Sequence, residues 1–276
     1  MPNNIDQIFK EFAEKLVLPA DRLKPAIEKS RQVSEWAKRK IKSHGSFFGG
    51  SYRRGTDIPQ ESLKLHLLLS RKHYYDSNEN STKLLFFLKK RLSEDYHKPV
   101  INGGGTVVRL YSPPEAALDL LPTIRISSGG YLVPNGQGGW YKTNPGKEEA
   151  LFKMKDDNSS GKFLKLAKIM KTWNINAGHP FDAYFLELVV YYRVNDFLKI
   201  YPDLVHSLFV SMRLFLPEFL NCPAAGEVIS SGTGSGVRQT VLCEAERLTL
   251  DAVKETEVKN ALAAWQSVLG GNFGAG

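Results

Sequence analysis

The hydrophobic period changes twice along this chain, and no other feature restricts the fold as much. Ile5, Phe9, Phe12 and Leu16 recur at steps of three and four, and Ile27, Val33, Trp36 and Ile41 resume the pattern. They read as two amphipathic helices, the first ending near Pro19 and the second entered through Pro19-Ala20-Asp21 and running to about Ile41. The Lys and Arg residues on the second helix's other face read as a solvated surface. From Ser46 the segments shorten: SFFGGS, LKLHLLLS at 63–70, PVINGG, TVVRLYS and AALDLLPTI are bounded by Gly and Pro and read as strands. One helix, STKLLFFLKKRLSEDY, separates the second strand from the third. Beyond a Gly- and Asn-rich stretch at 127–146 the helical period returns, in 161–174, 179–198, 201–220 and 237–269. The expected architecture is therefore α+β: a mixed-sheet lobe with flanking helices over residues 1–150, then a helical lobe over 151–276. The Gly/Ser-rich patch at 230–236 is expected to be a loop and the GGNFGAG end a frayed tail.

Composition narrows the classes. With 42% hydrophobic and 24% charged residues the chain has the makings of a globular core rather than a disordered or low-complexity protein. Two cysteines, Cys222 and Cys243, are too few for a disulfide framework or a cysteine-based zinc site, which suits a reducing compartment. The opening residues lack a basic and an apolar signal region, and no run approaches the ~18 apolar residues of a membrane span, so a cytoplasmic protein without a membrane partner is expected. Lys and Arg total 37 against 29 Asp and Glu, a net charge of +8. That balance favours polyanions such as nucleotides, RNA or DNA, although surface lysines kept for solubility give the same sum. No G-x-S-x-G, H-E-x-x-H, Walker A or dinucleotide fingerprint occurs, which removes support for those enzyme classes.

The stretch Gly49-Gly50-Ser51-Tyr52-Arg53-Arg54-Gly55-Thr56 follows a short apolar strand and precedes another. Glycines let backbone approach a phosphate, and Ser51 adds a hydroxyl donor, so the turn is suited to a triphosphate; a plain tight turn has the same sequence. After it come a strand, a lone acid in ALDLLP, GYLVP and WYKTNP, a basic helix ending in KTWN and a helix carrying LEL. This ordered series, over about residues 10–265, resembles the nucleotidyltransferases of polymerase beta-like fold. Within them it is most similar to the bacterial cyclic-oligonucleotide synthases related to cyclic GMP-AMP synthase and oligoadenylate synthetase.

The resemblance implies that Gly50 and Ser51 hold a nucleotide triphosphate. It implies also that an Asp-x-Asp pair on the next strand and a third acid on a later one bind two Mg²⁺, which activate the acceptor hydroxyl and stabilise the pyrophosphate. One of Lys168 and Lys171 would touch the triphosphate. The aromatic stretch around Trp140 would border the nucleotide, either stacking on a base or as a hairpin packed on the helical lobe. By the same resemblance the setting is antiphage defence.

At the metal pair this chain departs from the pattern. The strand reads Glu61-Ser62-Leu63-Lys64-Leu65-His66-Leu67, with no acid-x-acid in any register. The two positions hold Lys64 and His66 or Leu63 and Leu65; strand alternation favours the first, because leucines 63, 65 and 67 then face the core together. Asp119 is the surviving third acid, and one carboxylate does not hold two small hard cations. Asp57 and Glu61 precede the strand and cannot form a rigid i, i+2 pair. Two readings of Lys64 and His66 stand. An ammonium at Lys64 supplies the charge of a metal to a phosphate, with His66 as a further donor; or Lys64 pairs with Asp119 across the sheet and His66 is a partly buried strand histidine. Relatives often place a hydroxyl near Ala183, and Asp182 beside it would repel phosphate. Glu187 reads as a buried structural acid with a partner.

The leading expectation is a catalytically degenerate nucleotidyltransferase fold that binds a nucleotide or oligonucleotide in a cleft between the lobes, regulatory in nucleotide-signalling defence. No cofactor or metal is expected, Asp119 being the one candidate ligand. The alternatives are an active Mg²⁺-dependent enzyme making a cyclic or linear oligonucleotide from NTPs, with Asp119 catalytic, and a scaffold for RNA or an effector protein.

Overall fold

A computed structural model of the chain describes residues 3–111, 117–195, 199–232 and 234–275. In chain order the elements are α1 (Asn3–Lys15), α2 (Ala20–Ile41), β1 (Gly45–Gly49), α3 (Gly50–Arg54), β2 (Leu63–Leu69), α4 (Arg71–Asp76) and α5 (Ser81–Leu92). There follow β3 (Val100–Ile101), β4 (Val108–Leu110), β5 (Leu118–Arg125), β6 (Tyr131–Pro134), β7 (Trp140–Thr143), α6 (Pro145–Asp157) and α7 (Lys162–Asn176). The chain ends with α8 (Ala183–Arg193), α9 (Tyr201–Phe215), β8 (Phe219–Asn221), β9 (Val228–Ser230), α10 (Ser235–Lys254) and α11 (Val258–Leu269).

Two compact units result. The sheet unit is Leu18–Glu149 with Pro223–Glu227. Its strands run in the order β1-β2-β5-β4-β3, with β6 paired to β5 and β7 to β6. Among the described strands only the β2–β5 pair is parallel, so the sheet is mixed, as the interleaving of strands with α5 demands. Leu63, Leu65, Leu67 and Leu69 of β2 lie in one buried cluster with Leu118, Leu120 and Ile124 of β5. Val33, Trp36 and Ile41 of α2 and Leu84, Leu85, Leu88 and Leu92 of α5 complete that cluster. The helical stripes and the alternating strand face thus meet in one core.

The helical unit comprises Met1–Val17, Ala150–Cys222 and Val228–Gly276. The partition differs from the expected one at the N-terminus: residues 1–17, expected in the sheet lobe, belong to the helical unit, because α1 packs with the C-terminal helices. Phe9 meets Trp265 and Phe273 with ring centroids 4.8 Å apart, and Phe12 meets Phe273 at 5.2 Å. The same contacts correct the frayed tail, since Phe273 is fully buried and Gln266 Nε2 donates to its carbonyl at 2.9 Å. Periodicity locates an apolar stripe but not its partner, and seven residues containing four glycines look like a tail until their one phenylalanine finds a pocket.

Three further differences are local. The short helix α4 follows β2 where no element was expected. The segment 237–269 is two helices, α10 and α11, broken at Glu255-Thr256-Glu257 without the glycine or proline that marks most breaks. Trp140, expected on the helical lobe or against a base, packs within the sheet unit: its Nε1 donates to the Glu79 carbonyl at 2.7 Å and its ring lies 5.3 Å from Tyr74.

Candidate functional site

A cavity of about 280 Å³ opens on the sheet unit between the turn after β1, the start of β2 and strand β4. Ser51, Glu61, Ser62, Lys64, Arg109 and Asp119 line it, among others. Sheet register explains the gathering. Gly49 pairs with Lys64, Lys64 with Asp119, and Asp119 with Arg109, so four strands present one cross-sheet row.

The turn is built around the β2 side chains. Gly50 opens α3 at φ +64, and a Cβ there would stand 2.8 Å from Lys64 Cδ, so both conformation and space call for glycine. A Cβ on Gly49 would fall 2.2 Å from His66 Nε2. Ser51 is nearly buried, and its carbonyl accepts the Thr56 N–H at 3.0 Å, which closes the turn. The Lys64 side chain is exposed and, among the described residues, makes no hydrogen bond or ion pair.

Asp119 is 2% exposed and already engaged. Arg109 grips it with both edges of a fork, Nε to Oδ1 at 2.6 Å and Nη2 to Oδ2 at 2.8 Å. Ser62 Oγ donates to Oδ2 as well, and Arg109 Nη2 reaches that hydroxyl at 3.3 Å. Hydrogen bonding to Asp119 drives the guanidinium further above its already high ordinary value. Of the two readings of Lys64, the pairing with Asp119 is replaced by this one: the register neighbour on the other side, Arg109, takes the carboxylate. A two-stranded reading of the sequence had no reason to single out Arg109 or Ser62. The signal available was one arginine in the apolar strand TVVRLYS and one serine between Glu61 and Leu63.

His66 is buried in the sheet and does not line the cavity. Its ring stacks on Phe47 at 4.7 Å, and its Nδ1 lies 2.9 Å from Thr123 Oγ1. Because that hydroxyl donates to the Leu121 carbonyl, its lone pair accepts from Nδ1–H, which assigns the tautomer. Burial, with Lys64 and Arg53 nearby, pushes the imidazole down to about 3, so it is neutral at physiological pH.

The other lysines lie in the helical unit. Lys171 is 1% exposed and ion-pairs with Glu187, also 1% exposed, at 3.2 Å, so the acid in the apolar α8 has its partner. Lys168 Nζ donates to the Leu16 carbonyl at 3.1 Å, and Lys165 pairs with Glu14 at 2.7 Å. Asp182 caps α8 by accepting the Phe185 N–H at 2.9 Å.

The donors in the cavity do not fit a pair of Mg²⁺ ions. Two octahedral cations about 4 Å apart want several anionic oxygens between them, while here one carboxylate has both oxygens bound to a guanidinium and a hydroxyl. An ammonium occupies the row position next to it. Among the described residues no group of three His, Cys, Asp or Glu side chains is placed to hold a metal ion.

A mixed sheet carrying a Gly-Ser turn, with the acid of β5 facing it, defines a nucleotidyltransferase fold. The chain belongs to the family of Second Messenger Oligonucleotide or Dinucleotide Synthetase (SMODS) domains, whose model matches residues 4–158. It is 27% identical over 173 residues to the cyclic AMP-AMP-AMP synthase of an Acinetobacter species, across 56% of this chain and 50% of that protein. A probable cyclic nucleotide synthase of Bacillus cereus is 26% identical over 150 residues, 51% of this chain and 44% of that one. The chain thus spans about half the length of the curated relatives it matches. Among solved structures, E. coli MS115-1 CdnC with ATP superposes with a TM-score of 0.74 at 16% identity, covering 97% of this chain and 98% of that one. Bradyrhizobium diazoefficiens CdnG in complex with GTP gives 0.71 at 11% identity, covering 99% and 97%. At such identities the likeness is one of fold. No helix among the described residues is long and apolar enough to cross a membrane.

Proposed function

We propose that this SMODS-family chain binds the phosphates of a nucleotide or oligonucleotide in the sheet-unit cavity without catalysing nucleotidyl transfer, and serves bacterial nucleotide signalling, with a place in defence, as a regulatory protein. One observation carries the reading: the surviving acid, Asp119, is held by Arg109 and flanked in register by Lys64. Two-metal transfer needs carboxylates at those positions to offset the charge of the cations. Ser51, Lys64 and Arg109 instead offer hydroxyl, ammonium and guanidinium donors, which suit an anion. Two solved neighbours are complexes with ATP and with GTP, which supports a nucleotide as the class.

A second reading is an active synthase, favoured by the synthases among the matched relatives and by the synthetase family to which the chain belongs. Incubation with labelled ATP and GTP and either Mg²⁺ or Mn²⁺ separates the two. We expect no linear or cyclic product. A product that disappears in Asp119→Ala overturns the non-catalytic reading and establishes the other. A solved CdnC structure contains a HORMA protein, so a protein partner is compatible with either reading.

A further inference from the structure

The geometry points to a polyphosphate site that takes its ligand free of divalent metal and is antagonised by Mg²⁺. This rests on the proposed nucleotide-binding reading and specifies the charge state of the ligand at the same cavity.

Charge along the cross-sheet row is positive, negative, positive, at Lys64, Asp119 and Arg109. The middle charge is consumed internally, because both Asp119 oxygens accept from Arg109 and one accepts from Ser62 as well. What the row turns toward a ligand is then the Lys64 ammonium and the solvent-facing part of Arg109, whose side chain is 31% exposed. Glu61 is the other carboxylate lining the cavity; it precedes β2, lies off the row, and is engaged in interactions of its own. Lys64 is held in place without being neutralised. Its aliphatic stem runs against Gly50, where a Cβ would meet Cδ at 2.8 Å, and the side chain shares the cavity wall with Ser51 of the same turn. A lysine is a compact point charge, and in that position it supplies phosphate oxygens with the compensation that a bound cation otherwise provides.

A polyphosphate that arrives with Mg²⁺ carries two fewer negative charges and brings a cation toward this ammonium and guanidinium. Coulomb repulsion opposes that form, and the magnesium has no free carboxylate of the row to gain as a ligand. The site selects the metal-free fraction, and the apparent affinity scales with that fraction.

Calorimetric titration of the full chain with inorganic tripolyphosphate, which has the phosphates without a base, tests this. Binding is expected in EDTA. With free Mg²⁺ held at ten times its own dissociation constant for tripolyphosphate, about one ligand in eleven is metal-free, so affinity should fall about tenfold. Lys64→Glu, an exposed change unlike any in the core, should weaken binding at least tenfold in EDTA, and Lys64→Arg should retain it. Affinity that rises with Mg²⁺, or is indifferent to Lys64→Glu, overturns the inference and leaves the non-catalytic binding protein standing. No binding in either condition overturns both.

Discussion

Removing Arg109 isolates the interaction on which the site depends. In Arg109→Met the Asp119 carboxylate, with a side chain 3% exposed, keeps among the described side chains only the Ser62 hydroxyl as donor. Breaking a fully buried ion pair from one side costs about 3–5 kcal/mol. Arg109 is 31% exposed, so part of its desolvation was never incurred and water can reach the vacated place. The expected loss is therefore about 2 kcal/mol, or a midpoint lower by about 6 °C at the roughly 3 °C per kcal/mol typical of this size. Adding Asp119→Asn removes the stranded charge, so the double variant should recover about 1 kcal/mol rather than lose more. Urea unfolding of the four members of the cycle measures the coupling. Hydrogen exchange followed by mass spectrometry should place the loosening in peptides covering β4 and β5, which matters because two units need not unfold together. A single-variant cost under about 0.5 kcal/mol, or strictly additive losses, would show the fork to be an ordinary surface bridge and would remove the argument that Asp119 is unavailable to cations.

Two other perturbations probe the frame around the cavity. His66 has its folded-state value depressed to about 3 from 6.5, so the unfolded chain binds the proton more readily. Its neutral burial stabilises fully above pH ~6.5 and is lost as the pH falls toward 3, with a slope of about 1.4 kcal/mol per pH unit. His66→Gln should flatten that slope in urea unfolding between pH 6.5 and 4; an unchanged pH profile would contradict a neutral His66. Phe273→Ala should cost about 3 kcal/mol by emptying the aromatic pocket formed with Phe9 and Phe12, read from the unfolding of the helical unit. A loss below about 0.5 kcal/mol would mean the terminal residues are a tail after all.

Elements were legible where the code is local. The helical stripe of α2 and the alternating leucines of β2 predict those elements nearly to the residue, since each period is written into neighbouring positions. The break between α10 and α11 was illegible because Glu255-Thr256-Glu257 contains no residue that forbids a helix. Trp140 and α1 were assigned to the wrong neighbours for one reason: an amphipathic surface announces that it will be covered and says nothing about by what. Lys171 presents the same limit, since the resemblance offered it, or Lys168, to a triphosphate until Glu187 of α8 proved to be its buried partner.

The residue identities alone determined the absence of an acid-x-acid pair on β2, because that motif needs only positions two apart on one strand. That Gly49 and Gly50 must be glycine to clear His66 and Lys64 was, by contrast, a matter of how β1 packs beside β2. Which cation Asp119 would meet was a matter for tertiary structure. Lys64 lies 55 residues before it and Arg109 ten before it, both adjacent in register. Strand order placed the two at equal rank, and the longer, forked guanidinium closed on both carboxylate oxygens while the lysine stem ran against Gly50, a choice no local period can encode.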